Sequence, residues 1–199
     1  MFINRYIYWR QGTVMLNGSS FLALKETTAE EQSLEAYRQS GVQYPKFFKM
    51  DLLSRTAFLC AEWLGPYPEE YKLHTATLIS TLSGCISVDH KFDQSRKSLA
   101  SPALFVYTLP NIMLGEICIR HGFKGEQQCS IEAALNPALL QFQVADLFAH
   151  RGTRACLCGH AEATDQGIEV QLAWVTPGAE SLGAIPFSAQ NLKQIFTTH

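Results

Sequence analysis

The sequence predicts an α/β fold in which helices cover a mostly parallel β-sheet. Thr75 to Ser83 is an uncharged, β-branched run of strand length, as in strands that lie inside a parallel sheet with both faces covered. Met50 to Leu64 has apolar residues on nearly every turn, which indicates a buried helix with Asp51 as its cap and Gly65-Pro66 at its end. Strands and helices then alternate along the chain, as they do in α/β domains.

The first forty residues carry simple local signals. Phe2 to Trp9 alternates bulky and polar residues and predicts a strand, and Thr13 to Leu16 predicts a second one. Thr28-Ala-Glu-Glu31 is a capping box, which opens a polar surface helix to about Gln39 that Gly41 ends.

The central region predicts two more helices. Pro110 and Asn111 are expected to open a helix from about Ile112 to His121. Gly115 inside it costs roughly 1 kcal/mol of helix propensity relative to Ala, which suggests the close approach of another backbone. Asn136-Pro137 begins the next helix with a cap residue and a proline at the first helical position.

The remaining segments complete one domain of residues 1–199, with residues 176–199 as an accessory tail. Asp89 to Leu99 is polar and predicts a loop or a short exposed helix. Three further strands are expected at Gln127 to Ala133, Arg154 to Cys158 and Ile168 to Val175. A short helix is expected from Ser188 to about Phe196.

Composition excludes several classes of protein. Sixteen Lys and Arg residues against 18 Asp and Glu give a net charge of −2, so there is no basic surface typical of nucleic-acid binding. The uncharged stretch from His74 to Val88 is shorter than the roughly 20 residues of a membrane span. The six cysteines contain no Cys-x-x-Cys pair, which argues against a metal site, and free thiols favour a cytoplasmic location.

Three segments resemble β-ketoacyl-acyl carrier protein synthases. Ser101-Pro-Ala-Leu-Phe-Val-Tyr-Thr-Leu-Pro-Asn111, with Gly115-Glu-Ile-Cys-Ile-Arg-His-Gly122 and Lys124-Gly125, resembles the stretch that precedes the family's nucleophile strand. Arg154 to Ala163 is similar to the next core strand and its terminal turn, and Tyr44 to Asp51 resembles an early helix entry. The resemblance covers roughly residues 44–163 and implies a thiolase-like fold, of which only the N-terminal half is present.

The resemblance also implies that the nucleophile is missing. In the family, a Cys at the N-terminus of the helix after the nucleophile strand attacks the acyl thioester, because unpaired amides and the helix dipole favour its thiolate. The corresponding positions here are Leu135 and Asn136, which cannot attack a thioester. The family's two catalytic histidines belong to the C-terminal half. The chain's own histidines fall at other places in the pattern; they are His74, His90, His121, His150, His160 and His199. His121 is expected at a helix end and His160 in a turn. We therefore expect no catalytic residue, cofactor or metal.

What remains is an expected role in shaping a partner. In ketosynthases the N-terminal halves form the dimer, and the helix after the Leu-Pro-Asn turn lines the partner's acyl tunnel. The corresponding residues are Tyr107, Leu109, Asn111, Ile112, Met113 and Glu116, although ordinary core packing explains Ile112 and Met113 equally well.

Ketosynthase-like subunits without a nucleophile are chain length factors, and this chain looks most like those of bacterial aryl polyene pathways. The resemblance implies a heterodimer with a full-length β-ketoacyl-acyl carrier protein synthase in polyketide or fatty-acid-like biosynthesis. It also implies that acyl carrier protein is contacted through that partner. Whether the chain alone is a monomer or a homodimer that substitutes for this pairing stays open.

Two other functions stay open. The chain could be an acyl-thioester enzyme that uses Cys129 or Ser130 with one of its histidines, because the members of a catalytic triad need not be adjacent in sequence. It could also be a free-standing module that binds an acyl chain or a carrier protein.

Overall fold

A computed structural model of the protein describes residues 1–97 and 99–197. The first half contains β1 (Phe2–Arg10), β2 (Thr13–Leu16), β3 (Ser19–Ala23), α1 (Ala29–Ser40), a 3-10 helix (Pro45–Lys49), α2 (Leu52–Leu64), α3 (Glu69–Lys72), β4 (Thr75–Thr81) and α4 (Ile86–Ser95). The second half contains α5 (Pro102–Val106), α6 (Ile112–His121), β5 (Gln127–Ile131), α7 (Pro137–His150), β6 (Ala155–Thr164), β7 (Gly167–Thr176), β8 (Ile185–Pro186) and α8 (Ala189–Thr197).

Within this described part, eight strands form one sheet in the order β3-β2-β1-β7-β6-β4-β5, and β8 pairs with β1. The α/β class is confirmed, but the predicted mostly parallel arrangement is wrong. Only β4 makes parallel pairs, with β5 and β6, whereas the other pairings are antiparallel. The reason lies in the connections: Asp165 and Gln166 alone join β6 to β7, and a two-residue turn forces its strands to run antiparallel.

Helices cover both faces of this sheet. One core cluster contains α2, α6 and residues such as Leu157 and Trp174 from the sheet. The other core cluster contains Leu140 of α7 and Leu192 of α8. These side chains pack on the second face of the sheet, against residues of β4 and β6. Every residue of β4 is buried, which confirms the prediction of a strand covered on both faces.

Most predicted helix ends are confirmed by side-chain caps. The Thr28 hydroxyl accepts a hydrogen bond from the Glu31 amide at 3.3 Å, and the Asp51 carboxylate accepts one from Leu53 at 3.1 Å. Asn136 caps α7 through the Leu139 amide at 3.2 Å. At α6 the bounds are as predicted, but Asn111 has a helical backbone and makes no side-chain cap.

The close backbone approach lies at a different glycine from the one predicted. A β-carbon at Gly115 would meet nothing within 4 Å, so the expectation of a close approach there is wrong. At Gly159 a β-carbon would lie 1.8 Å from the Gln171 carbonyl oxygen of β7. Gly159 and His160 belong to the middle of β6, which continues to Thr164, so the predicted turn at His160 is also wrong.

The C-terminal segment completes the second core cluster. β8 pairs with β1 at Phe2 and Ile3, and the predicted final helix is confirmed as α8. The Ala189 amide donates to the Gln141 side chain of α7 at 2.6 Å. The polar stretch before Ser101 is largely helix α4, and residues 98, 198 and 199, which include His199, lie outside the described residues. No helix in the described ranges is long and apolar enough to cross a membrane.

Substitutions of the two glycines test the packing. Gly159→Ala should lower the free energy of unfolding by about 3 kcal/mol or more, because its methyl group would overlap the Gln171 carbonyl and separate two central strands. Gly115→Ala should raise it by about 0.5–1 kcal/mol, because space is open there and Ala favours a helix. Urea unfolding followed by circular dichroism measures both. Equal stability of the two variants would contradict this packing.

Candidate functional site

A buried carboxylate, paired with an exposed lysine, fixes the turn that leads into α6. Glu116 is 3% exposed, and its carboxylate accepts a hydrogen bond from the Tyr107 hydroxyl at 2.9 Å and pairs with the Lys46 ammonium at 2.9 Å. Burial raises the pKa of Tyr107, and its hydrogen bond to Glu116 raises it further. These contacts join the residues before α6 to the 3-10 helix.

The six residues predicted to line a partner's tunnel are therefore divided. Tyr107 and Glu116 lie in the chain's own interior, as does Met113, whose side chain is fully buried. Ile112 is partly buried against the same core. Leu109, at 49% exposure, and Asn111 are on the surface. The three buried residues can support the outer surface from below, but their side chains do not form it.

An apolar surface lies at the carboxyl ends of β4 and β5. Thr81 of β4 pairs with Ile131 of β5, whose side chain is 63% exposed. Leu82 follows directly and is also exposed. The turn after it brings Gly84 against Pro110, where a β-carbon would lie 3.5 Å from the proline ring, and Leu109, the residue before that proline, is exposed.

The junction at Leu135 and Asn136, which the resemblance matches to the nucleophile position, has very little space. Asn136 uses its side chain as the cap of α7. The cavity beside it has a volume of about 10 Å³, which is roughly the room for one water molecule. Its lining includes Leu135, Ser80, Ser130 and Glu132.

A buried Ser-His pair, which sequence reasoning missed, lies on the same face of the sheet. Ser80 Oγ and His160 Nδ1 are 2.9 Å apart, and His160 is 3% exposed. Burial lowers the pKa of His160 even though nearby carboxylates, Glu162 first among them, raise it, so the imidazole is neutral at pH 7. Two strands 80 residues apart bring the pair together, and no local motif indicates it.

The histidines do not meet the two candidate nucleophiles. Cys129 packs against the α2 and α6 cluster, whereas Ser130 points into the small cavity on the opposite face. Burial raises the pKa of the Cys129 thiol, which disfavours a reactive thiolate. Among residues 1–97 and 99–197, neither side chain has a hydrogen bond to a histidine. Burial also lowers the pKa of His121 to about 4, so this side chain is neutral at the end of α6.

Glu162 anchors the turn after β4. Its carboxylate accepts hydrogen bonds from the Thr81 hydroxyl at 2.9 Å, the Leu82 amide at 2.9 Å and the Ser83 amide at 3.1 Å. Partial burial raises the pKa of Glu162, but the bonds from Ser83, Leu82 and Thr81 outweigh it and hold the pKa below its ordinary value of 4.5. The apolar surface around Leu82 therefore depends on a carboxylate of the neighbouring strand.

A larger groove opens between the start of α2 and the helices α4 and α5. Its volume is about 580 Å³, within the range of roughly 300–1,000 Å³ that small-molecule sites occupy. Met50, Leu52, Val88 and Leu104 line it, with the charged groups of Glu30, Lys49, Asp51, Arg55, Lys91 and Asp165 around them.

The described part of the chain contains no group of three or more His, Cys, Asp and Glu side chains that could hold a metal ion. All six cysteines are free thiols, and five of them are buried.

Together, the strand order, the two helix layers and the helix entry at Asn136 define a thiolase-like α/β fold. Solved ketosynthase and chain length factor structures share it. One is the ketosynthase ApeO in complex with its chain length factor ApeC from Xenorhabdus doucetiae, with a TM-score of 0.57 and 14% identity over 90% of this chain and 81% of the matched chain.

Two further structures have the same fold. The ishigamide ketosynthase/chain length factor matches with a TM-score of 0.65 and 14% identity, over 90% of this chain and 63% of that one. AntDE:AntF, a type II polyketide synthase acyl-carrier protein in complex with its ketosynthase bound to the hexaketide, matches with a TM-score of 0.58 and 9% identity, over 88% of this chain. This chain spans 62% of the matched AntDE:AntF chain, so it covers less than two thirds of either of these two. No family model and no curated protein matches the sequence.

Replacing Glu162 by Gln tests the anchor of the turn. Glu162→Gln should lower the free energy of unfolding at pH 7 by about 1–2 kcal/mol, because hydrogen bonds to a charged acceptor are lost. The lowered pKa of Glu162 means that its contribution is present above pH 4.5 and is lost as the pH falls through the folded-state pKa. The difference from wild type should therefore shrink below pH 4.5 in urea titrations. A pH-independent difference, or an equal effect of the exposed control Glu70→Gln, would contradict this role.

Proposed function

We propose that this chain is a non-catalytic, chain-length-factor-like subunit that pairs with a full-length β-ketoacyl-acyl carrier protein synthase and shapes its acyl tunnel. The observation that carries the proposal is the free edge of β5 next to an exposed apolar surface. The setting would be polyketide, aryl polyene or fatty-acid-like biosynthesis in the cytoplasm, with acyl carrier protein contacted through the partner.

The edge strand β5 supports pairing because it lacks protection. Gln127 to Ile131 contains no charge, no proline and no bulge, and most of it is exposed. Natural proteins usually block such an edge, because unpaired amides and carbonyls accept another strand. With Leu82, Leu109 and Ile131 beside it, the edge is suited to a lasting interface, which buries on the order of 2,000 Å² or more.

The absence of a usable nucleophile supports a subunit without its own chemistry. Asn136 occupies the helix entry as a cap, and the adjacent cavity has no room for an acyl thioester. The solved structures with this fold include complexes described as a ketosynthase with its chain length factor. We transfer that division of labour to this chain as the proposal.

The tunnel role belongs to the exposed members of the predicted set. Leu109 and Asn111 are exposed on either side of Pro110, which lies against Gly84 in the turn after β4, and Ile112 is half-buried. Tyr107, Met113 and Glu116 would act by supporting this surface from the core. The wall that a growing acyl chain meets would then be Leu109 and its neighbours.

The enzyme alternative has less support. Cys129 and Ser130 point to opposite faces, and the buried His160 pairs with Ser80 instead. A stable acyl adduct on Cys129 after incubation with acyl-loaded carrier protein, detected by mass spectrometry, would favour this alternative over the proposal.

A second candidate function, an acyl-binding module that works alone, is favoured by the groove of about 580 Å³ between α2 and α4–α5. Its apolar lining and volume would suit an acyl chain. Binding of an acyl carrier protein or fatty acid by the isolated chain, with no pairing to a ketosynthase, would support this function over the proposal.

A proline in the free edge tests the pairing. Ile131→Pro removes an amide that points away from β4 and so breaks no internal hydrogen bond, because the neighbouring Glu132 amide is the one that donates to Thr81 at 3.0 Å. The free energy of unfolding should change by less than about 1 kcal/mol. Co-elution with a ketosynthase encoded in the same gene neighbourhood should be lost in size-exclusion chromatography at micromolar concentration.

The control Ile131→Val keeps the amide and should still co-elute. If the proline variant is folded and pairs as wild type does, the β5 edge is not the interface. If wild type and ketosynthase elute separately, the pairing itself is wrong.

Shortening the proposed wall tests the tunnel role. Leu109→Ala and Ile112→Ala should shift the partner's products to longer chains at a similar total rate, because a pocket edge discriminates by about 1–3 kcal/mol per methylene. Product analysis by mass spectrometry of the reconstituted complex measures this. Met113→Ala is a poor probe, because it would cost about 2–5 kcal/mol by opening a cavity in the chain's own core. If product chain lengths stay unchanged while the complex is intact, the chain does not shape the tunnel and has only a structural role in the complex.

A further inference from the structure

We infer that Glu126 and Glu132, at the two ends of β5, oppose pairing of this edge with a second copy of the chain and select a partner strand with neutral or cationic side chains opposite them. The inference rests on the proposed pairing through β5 and adds the chemistry of the partner. It would also give a chain with an unprotected edge a means of opposing its own self-pairing.

The hydrogen bonds inside the sheet show which groups of β5 are free. The Thr77 amide donates to the Glu126 carbonyl at 2.8 Å, and the Glu132 amide donates to the Thr81 carbonyl at 3.0 Å. Backbone groups alternate between the two sides of a strand, so the even-numbered residues from 126 to 132 point toward β4. Gln127, Cys129 and Ile131 consequently present their amides and carbonyls to the free edge.

These three residues define the register of self-pairing. A second copy related by a two-fold axis runs antiparallel to β5, and the register that pairs all three residues is centred on Cys129. Gln127 then faces Ile131 of the other copy. Any other register leaves at least one of the three residues without a partner.

In this register the two glutamates face each other. Glu126 lies opposite Glu132 of the other copy, and the symmetry repeats the contact, so self-pairing creates two like-charge contacts. Both positions are non-hydrogen-bonded pairs, in which directly opposed side chains are closest. Like charges placed directly opposite each other destabilise a strand pair.

Neither Glu126 nor Glu132 has an ion pair within residues 1–97 and 99–197, although basic side chains lie near Glu126. Lys124, His74 and Arg151 line the same surface depression as Glu126, and His160 is the titratable group that senses Glu132. At the centred register Lys124 would face the uncharged Ala134 of the other copy, so it does not relieve the repulsion.

Charge reversal tests the inference without any ketosynthase. Glu132→Lys should strengthen self-association, because each new lysine faces Glu126 of the other copy. The expected dimer dissociation constant is lower than that of wild type by about tenfold or more. Glu126→Lys should have the same effect. The double variant Glu126→Lys/Glu132→Lys restores a like-charge pair and should return to the weak association of wild type.

Sedimentation velocity over a concentration series measures the association, and hydrogen–deuterium exchange of residues 126–132 reports whether β5 is the interface. Glu26→Lys, an exposed site after β3 at the other edge, is the control for net charge and should stay like wild type. In about 1 M salt, where the screening length falls to about 3 Å, the difference between the single variants and wild type should largely disappear.

The inference is overturned if folded single variants associate no more strongly than wild type, if the double variant associates as strongly as the single ones, or if wild type is already a tight dimer through β5. None of these results depends on whether wild type co-elutes with a ketosynthase, so the inference and the proposed function can fail independently. Circular dichroism of each variant identifies misfolding, and the two independent single variants keep the test valid if one of them does not fold.

Discussion

The close contact between β6 and β7 at Gly159 helps to position the exposed apolar surface at the carboxyl ends of β4 and β5. With no side chain at Gly159, the Gln171 carbonyl approaches to where a β-carbon would be only 1.8 Å away. The strand then continues without a break to Thr164 and delivers His160 and Glu162 to the end of β4. Glu162 fixes the turn at Leu82 and Ser83, and that turn carries part of the exposed apolar surface.

The two edge strands of the sheet, β3 and β5, differ in how readily they can pair with another strand. At β3 the pairing register with β2 shifts between Val14 and Met15, so Phe21 forms a bulge. The ring centroids of Phe21 and Trp63 are 5.6 Å apart. Bulges twist an edge away from further pairing. β5 has a regular parallel register along its whole length, and Glu126 and Glu132 flank it.

Burial decides what the polar groups of the sheet can do. Ser80 and His160 form a hydrogen-bonded pair of the kind that activates nucleophiles, but both are buried beside a cavity that holds about one water molecule. The same polar pairing that would support catalysis in an open site is here a satisfied core contact. Leu82, Leu109 and Ile131 are exposed near the carboxyl ends of β4 and β5, and β5 has unpaired backbone groups at its free edge. These features suit association with another chain.

The sequence alone predicted, from local signals, the capped helices α1, α2 and α7, the covered strand β4 and a strand that begins at Gln127. It also gave the resemblance that the solved structures support at the level of the fold. The folded chain was needed to establish the antiparallel direction of β7, the close approach at Gly159 instead of Gly115, and the burial of Tyr107, Met113 and Glu116. The physical reason is that these features depend on strand pairing and packing between residues far apart in the chain, such as Ser80 and His160, and neighbouring residues carry no record of such contacts.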